Sequence, residues 1–151
     1  MQEKAICVIG YGEVPGDRLD IVRQEFEWAV GTALDDGYRK FLAEYKGVGI
    51  LFAQCVNEWR EQYPDIFVEV LFDSKRCDPL TCEEQDVLSK CNGIYPLHEE
   101  SREDYPLAVT RYLAGRSDRV IVVHGKELDH DTAFAMDYAL MAGHDLKIIE
   151  F

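Results

Sequence analysis

The sequence contains few basic residues and no long hydrophobic run. Its 151 residues include 16 lysines and arginines against 29 aspartates and glutamates, a formal net charge of −13. Proteins contact the phosphates of nucleic acids and anionic membranes through lysine and arginine side chains. No apolar run approaches the ~20 residues that a membrane-spanning helix needs. We therefore expect neither a nucleic acid nor a membrane as the partner of this protein.

The beginning of the sequence lacks the features of a secretory signal peptide. Residues 1–4 lead directly into a short apolar run, without a basic region followed by a long apolar one. No internal repeat, linker or low-complexity segment divides the chain, and its length suits one domain. We expect a cytoplasmic protein with a single domain over residues 1–151.

Cysteine is scarce, and the five residues present are an odd number. An odd count favours reduced thiols over a disulfide framework. Two groups nevertheless contain the side-chain types of a metal site: Cys77, Cys82 and Cys91 with His98, and the loop residues His124, Asp129, His130 and Asp131. The cysteine spacing matches no zinc knuckle, and a solvated acidic loop is the simpler explanation of the second group. We predict no bound metal and no cofactor.

Short apolar runs alternate with segments of helical periodicity along the whole chain. Alternation of this kind is typical of an α/β protein with a mainly parallel sheet and helices on both faces. The expected strands are 5–9, 38–43, 66–72, 93–97, 119–125 and 146–151. The expected helices start at residue 17, after residue 49, at residue 81, near residue 106 and at residue 132. The second should run for about fifteen residues until Pro64 ends it, and Thr81 and Glu84 predict a capping box at the start of the third.

The last thirty-odd residues predict a strand–helix–strand unit. The run 119–125 ends at a glycine, a polar loop follows over 126–131, and helix formers extend from Thr132 to residue 142. Gly143 stands where a helix C-cap glycine belongs. Ligands of such sheets bind beyond the carboxyl ends of the strands. We therefore expect the loop 125–131 to contribute to a binding site.

A glycine-rich turn follows the first strand, with Gly10, Gly12 and Gly16 in a G-x-G-x-x-x-G spacing. This spacing is one residue longer than the dinucleotide fingerprint, and Glu13 and Asp17 place negative charge where a pyrophosphate would lie. A tight turn that needs glycine for steric reasons is the better explanation. We expect Asp17 to cap the following helix.

Several segments together resemble the Smf/DprA–LOG (SLOG) superfamily of Rossmann-like proteins, nearest its YpsA-like branch. The most telling ones are Ser117-Asp-Arg-Val120 before a buried strand and the stretch from Asp131-Thr132 to Tyr138-Ala139, followed by Gly143. The strand and glycine turn at 6–12, the stretch 41–50 and the helix end at 62–66 also match. The resemblance implies a Rossmann-like three-layer domain that binds nucleotides or nucleotide-derived molecules.

The sequence departs from the family pattern at the positions that contact phosphate. His130 and Asp131 replace a pair of glycines, and Glu44 replaces the glycine of the second turn. Two side chains, one of them anionic, hinder the approach of a phosphate to the backbone. The P-G-G-x-G-T-x-x-E signature of the hydrolase branch is absent as well. The resemblance therefore implies a degenerate phosphate-binding motif without evident catalytic machinery.

The predicted ligand-binding residues come from the turns, the last loop and one helix. Thr132 would bind a phosphate or cap its helix together with Asp131, and Arg111 would clamp an anion or pair with a nearby acid. Asp118 is expected to have a structural role at a turn. The full predicted set is Gly10, Tyr11, Gly12, Gly47, Arg111, His124, Gly125, Asp131 and Thr132.

Three functions remain open from the sequence. The first is binding of a small nucleotide-derived ligand. The second is hydrolysis of a nucleotide N-glycosidic bond, for which Asp129 or Asp131 is the candidate carboxylate. The third is a non-catalytic protein-interaction module, which a stable homodimer would favour.

Overall fold

Six parallel strands form the centre of the part of the chain that the structure describes. The computed structural model describes residues 4–74, 79–97 and 104–151. The strands are β1 (Ala5–Ile9), β2 (Lys40–Glu44), β3 (Phe67–Asp73), β4 (Gly93–Leu97), β5 (Arg119–His124) and β6 (Asp145–Glu150). Their order is β4-β3-β2-β1-β5-β6, and every pairing is parallel. This arrangement confirms the predicted Rossmann-like fold.

Within the described residues, five helices cover the two faces of the sheet. They are α1 (Leu19–Asp35), α2 (Val48–Asn57), α3 (Cys82–Ser89), α4 (Tyr105–Gly115) and α5 (His130–Met141), with a 3₁₀ turn at Gly16–Arg18. Buried residues of α1, α2 and α3 pack on one face, and those of α4 and α5 pack on the other. In the described part of the chain, no helix is long and apolar enough to cross a bilayer.

Strand β1 shows why the apolar runs are unbroken. Ile6 and Val8 contribute to the core beneath α1 and α2, whereas Cys7 and Ile9 contribute to the core beneath α4 and α5. Successive side chains of a strand point to opposite faces, so a strand that is covered on both sides is apolar at every position. All five residues of β1 are buried.

The structure confirms some of the predicted local interactions. Thr81 and Glu84 form the capping box at the start of α3. Asp118 has the expected structural role, because its carboxylate accepts a hydrogen bond of 3.0 Å from the backbone N–H of Ala5. The N–H of Asp118 donates in turn to the carbonyl of Ala5, at 2.7 Å. These bonds fix the beginning of β1 beside β5.

Two predictions about helix ends are wrong. Asp17 does not cap α1, because it lies inside the 3₁₀ turn and Arg18 occupies the N-cap position without a side-chain hydrogen bond. Helix α2 is 10 residues long and not about fifteen. After Asn57 the chain continues as hydrogen-bonded turns, and the Arg60 guanidinium donates to the Asn57 side chain at 2.7 Å.

The described cysteines are free thiols, in agreement with the expectation of reduced cysteines. Cys7 and Cys55 are buried, Cys82 is exposed and Cys91 is half-buried. Cys77 and His98, which belong to the possible zinc group, lie outside the described residues. Within residues 4–74, 79–97 and 104–151, no group of three His, Cys, Asp or Glu side chains could hold a metal ion.

Candidate functional site

A cavity of about 580 Å³ opens beyond the carboxyl ends of β1 and β2. Its walls come from the turn after β1, the turn after β2 with the start of α2, the start of α4, and Asp131 of α5. The chain leaves β1 towards β2 on one side, while β5 lies on the other side of β1. Ligands of open α/β sheets bind where the strand order reverses in this way. The cavity therefore lies at the position that the fold favours for a ligand.

Gly10 and Gly12 of the first turn differ in how much space a side chain would have. A Cβ on Gly10 would lie 2.8 Å from Cγ2 of Val48 and 3.0 Å from the carbonyl oxygen of Val123, so close packing at this junction requires glycine. A Cβ on Gly12 would meet no atom within 4 Å. The steric explanation therefore holds for Gly10, whereas Gly12 leaves open space at the cavity wall.

The second turn brings the start of α2 against the end of β2. Gly47 is the N-cap residue of α2 and has a φ of +56°, a conformation that glycine adopts readily. A Cβ on Gly49 would lie only 1.8 Å from the carbonyl oxygen of Glu44. This close approach places Lys46 and Val48 on the cavity wall.

Tyr11 connects the first turn to α4. Its phenol oxygen lies 2.8 Å from the carbonyl oxygen of Pro106 and 2.6 Å from Oγ1 of Thr110. A phenol has one proton, so Tyr11 donates to the carbonyl and accepts from the threonine hydroxyl. Burial raises the pKa of Tyr11, and the charges of Glu44 and Asp131 raise it further. Tyr11 is thus a neutral hydrogen-bonded bridge at the cavity wall.

The cavity combines apolar walls with an excess of carboxylates. Its charged residues are Glu13, Glu44 and Asp131 against the single cation Lys46 among the described lining residues. The other large side chains are the aromatic rings of Tyr11 and Tyr105 and the apolar groups of Val14, Leu19, Val48, Leu51 and Pro106. Such a surface suits a flat, largely apolar molecule that carries hydrogen-bond donors.

The carboxylate of Asp129 caps the start of α5. Oδ1 of Asp129 accepts a hydrogen bond from the N–H of Thr132, and Oδ2 accepts one from the Thr132 hydroxyl, both at 2.8 Å. The helix begins at His130, so the prediction that Asp131 or Thr132 caps it is wrong. Asp129 is the cap because its extended backbone, with φ −71° and ψ 162°, lets the carboxylate reach the amide three residues ahead.

Five of the nine predicted site residues line the cavity: Gly10, Tyr11, Gly12, Gly47 and Asp131. The other four lie elsewhere. Arg111 is exposed on α4, more than one helical turn beyond Pro106, and Thr132 is fully buried. Nδ1 of His124 lies 2.6 Å from the carbonyl oxygen of Gly125. A Cβ on Gly125 would lie 3.1 Å from the ring of Phe151.

Sequence reasoning missed several lining residues, above all Tyr105 and Pro106 at the start of α4 and Leu19 at the start of α1. The expected helix start near Pro106 was the available signal, because helix N-termini in this fold lie at the same edge of the sheet as the strand carboxyl ends. Two further lining residues lie next to predicted ones: Glu13 follows Gly12 in the turn after β1, and Lys46 precedes Gly47 in the turn after β2.

Comparison with known proteins identifies the fold and no family. No protein-family model matches the sequence, and no curated protein matches it. Among solved structures, the X-ray structure of TM1055, a target of the Northeast Structural Genomics Consortium, is similar with a TM-score of 0.62. The similarity covers 95% of this chain and 72% of that chain at 17% sequence identity. At this identity the likeness shows a common Rossmann-like α/β fold.

Proposed function

We propose that this protein binds a small nucleotide-derived molecule in the cavity at the carboxyl ends of β1 and β2, as a divergent SLOG protein near the YpsA-like branch. The observation that carries this proposal is the cavity itself, which two glycine-containing turns form where the strand order reverses. Its volume of about 580 Å³ is within the range of small-molecule sites. The resemblance of the 117–120 and 131–139 segments supports the nucleotide character of the ligand.

The apolar and aromatic part of the lining suits the binding of a flat base. The described lining residues include no serine, cysteine, threonine or histidine, so the carboxylates of Glu13, Glu44 and Asp131 are its candidate general bases. The rings of Tyr11 and Tyr105 and the apolar group of Leu51 offer surfaces for a flat base. Hydrogen-bonding groups of the ligand would contact the carboxylates and Lys46.

The test uses a bulky residue at the cavity wall. Gly12→Phe adds a side chain beside the cavity, at a position where a Cβ meets no atom within 4 Å. Gly16→Phe is the matched control, because Gly16 has equal space and is not among the lining residues. A thermal-shift screen of nucleosides, nucleoside mono-, di- and triphosphates, and ADP-ribose should raise the melting temperature of the original protein with at least one chemotype. Gly12→Phe should weaken that binding at least tenfold, whereas Gly16→Phe should not.

Two results would contradict the proposal: no shift with any compound, or a Gly12→Phe variant that binds as tightly as the control. The first result would favour the protein-interaction alternative. Leu140 and Met141, at the end of α5, are exposed apolar side chains that such an interface could use. Sedimentation of the purified protein would then show whether it forms a homodimer.

A second candidate function is hydrolysis of the N-glycosidic bond of a nucleotide, and the position of Asp131 favours it. Asp131 lines the cavity, whereas Asp129 is occupied as the cap of α5. A carboxylate near the ribose stabilises positive charge in the transition state or activates water. Release of free base from nucleoside monophosphates, lost at least 100-fold in Asp131→Asn, would establish this activity. Absence of base release at high enzyme concentration would exclude it for the substrates tested.

A further inference from the structure

Tyr11 joins two walls of the cavity that come from distant parts of the sequence. It belongs to the turn after β1, and its hydroxyl reaches α4, where it lies 2.8 Å from the carbonyl oxygen of Pro106. Tyr11 and Pro106 both line the cavity. The ring of Tyr11 also packs against the buried core beneath α4 and α5. One side chain therefore holds the first turn against the start of α4.

The second partner of Tyr11 is Thr110, which is not among the described residues that line the cavity. Its Oγ1 lies 2.6 Å from the Tyr11 oxygen, and the residue is fully buried, with 0% of its surface exposed. Residues four apart on a helix lie on the same face, so Thr110 is one turn beyond Pro106 and beside it. Thr110 can therefore act on a ligand without touching it, through Tyr11.

Two hydrogen bonds to one helix fix the direction of the Tyr11 ring. The phenol oxygen donates to the carbonyl of Pro106 and accepts from the hydroxyl of Thr110. Without the second bond the ring is free to turn about its side-chain torsions towards another staggered position. Burial raises the pKa of Tyr11 above its ordinary value, so the phenol keeps its proton and both bonds persist at neutral pH.

Resting on the proposed function, we infer that Thr110 is a positioning residue for the ligand, because it holds the Tyr11 ring in the orientation that forms the cavity wall. Contacts between flat rings depend on the direction of each ring, so a base packs well only against a correctly oriented face. A Tyr11 ring that turns takes this surface with it. Loss of the Thr110 hydroxyl should weaken binding although no atom that lines the cavity is removed.

The experiment compares two substitutions of Thr110 in the full chain. Thr110→Val keeps the shape and removes the hydroxyl, and a methyl group in the place of Oγ1 would lie only 2.6 Å from the phenol oxygen, so the ring must move. Thr110→Ser keeps the hydroxyl and should keep the bond. Isothermal titration calorimetry with adenosine, guanosine, their 5′-monophosphates and ADP-ribose measures affinity. We expect Thr110→Val to weaken binding roughly fivefold or more, the effect of one hydrogen bond, and Thr110→Ser less than about twofold.

A double variant and a control separate positioning from a general loss of stability. Tyr11→Phe removes the same bridge from its other side, so adding Thr110→Val to it should weaken binding by less than about twofold more. Ser117→Ala is the control, because the buried Ser117 hydroxyl donates to the carbonyl of Leu113 at 2.8 Å, at the other end of α4 and outside the cavity. This variant should lower the melting temperature and change the affinity by less than about twofold.

A second measurement follows the ring itself and needs no ligand. Fluorotyrosine incorporated at the eight tyrosines gives ¹⁹F NMR signals, and the signal that Tyr11→Phe removes belongs to Tyr11. Thr110→Val should shift this signal, because the surroundings of the ring change. Thr110→Ser should leave it close to its original position.

The outcomes separate the two proposals. A Thr110→Val variant that binds as tightly as Thr110→Ser, or that leaves the Tyr11 signal unmoved, overturns the positioning role and leaves the proposed function intact. A loss of affinity in Ser117→Ala equal to that in Thr110→Val also overturns it, because reduced stability would then be the cause. Failure of every probe to bind the original protein overturns the proposed function, and the Tyr11 signal alone then decides whether Thr110 positions the ring.

Discussion

The carboxylate of Asp129 holds Thr132 through two hydrogen bonds of 2.8 Å, one from the backbone amide and one from the hydroxyl. Thr132 is fully buried, so its hydroxyl needs a partner inside the protein. The pair closes the start of α5 with the protein's own charge. The helix end that would suit a phosphate is thereby used for stability.

Removal of the Asp129 carboxylate should destabilise the protein. Asp129→Ala removes the cap and leaves the Thr132 hydroxyl without its acceptor, so we expect the free energy of unfolding to fall by about 1–3 kcal/mol. Asp129→Asn keeps an acceptor oxygen for the amide and should cost less. Urea denaturation of both variants checks the order. Equal stability of Asp129→Ala and the original protein would refute the structural role.

Because Gly49 approaches Glu44 closely, we expect that adding one methyl group at Gly49 strongly lowers the free energy of unfolding. Gly49→Ala places a Cβ 1.8 Å from the backbone carbonyl of Glu44, so α2 or β2 must move. We expect a loss of roughly 3 kcal/mol or more, at the upper end of point mutations. Gly12→Ala, where the Cβ meets nothing within 4 Å, should change stability by about 0.5 kcal/mol or less. Chemical denaturation of the pair checks this, and similar values for both would contradict the described packing.

The bridge between Tyr11 and Thr110 predicts coupling between two residues far apart in sequence. Tyr11→Phe removes a donor to Pro106 and an acceptor for the buried Thr110 hydroxyl, with an expected cost of about 1–2 kcal/mol. Thr110→Val should have a similar cost. The double variant should cost at least ~0.5 kcal/mol less than the sum of the single costs, because neither group is then left unpaired. A double-mutant cycle in urea measures this coupling, and simple additivity would exclude the bridge.

Buried thiols predict a loss of stability at alkaline pH. Burial raises the pKa of the Cys7 thiol to about 12, whereas unfolded thiols titrate near pH ~8.5. Because the native state keeps the proton longer, this contribution is complete below about pH 8.5 and is lost as the pH rises towards 12. Tyr11, whose pKa burial also raises, acts in the same direction at higher pH. The free energy of unfolding should therefore fall with pH over this range.

Two cysteine variants test whether Cys7 causes the loss of stability at alkaline pH. Cys7→Ala should make the decline between pH 9 and about 12 shallower, whatever its effect at neutral pH. Cys82→Ala is the control, because that side chain is exposed in the native state. Urea denaturation at a series of pH values measures both slopes. An unchanged slope in Cys7→Ala would show that other groups cause the decline.

Local patterns were sufficient to predict most elements. The apolar runs of β1, β4 and β5 were predicted within one residue, and the capping box of Thr81 and Glu84 is present. Such signals depend on neighbours a few residues away, which is why they can be read without the fold. Helix ends were less predictable. Four residues near helix starts have side chains suited to capping: Asp17, Asp129, Asp131 and Thr132. Asp17 lies inside the 3₁₀ turn before α1, whereas the extended backbone at Asp129 makes this residue the cap of α5.

The sequence by itself determined the parallel α/β fold, since strands buried on both faces need apolar residues at every position. Only the tertiary structure decided which residues share the cavity. Tyr11 and Pro106 are far apart in sequence and meet because β1 lies at the centre of the sheet, with α4 packed behind it. The same packing left Arg111 exposed and buried Thr132. A binding surface depends on contacts between distant segments, and those contacts follow from strand order and helix packing, which no local pattern encodes.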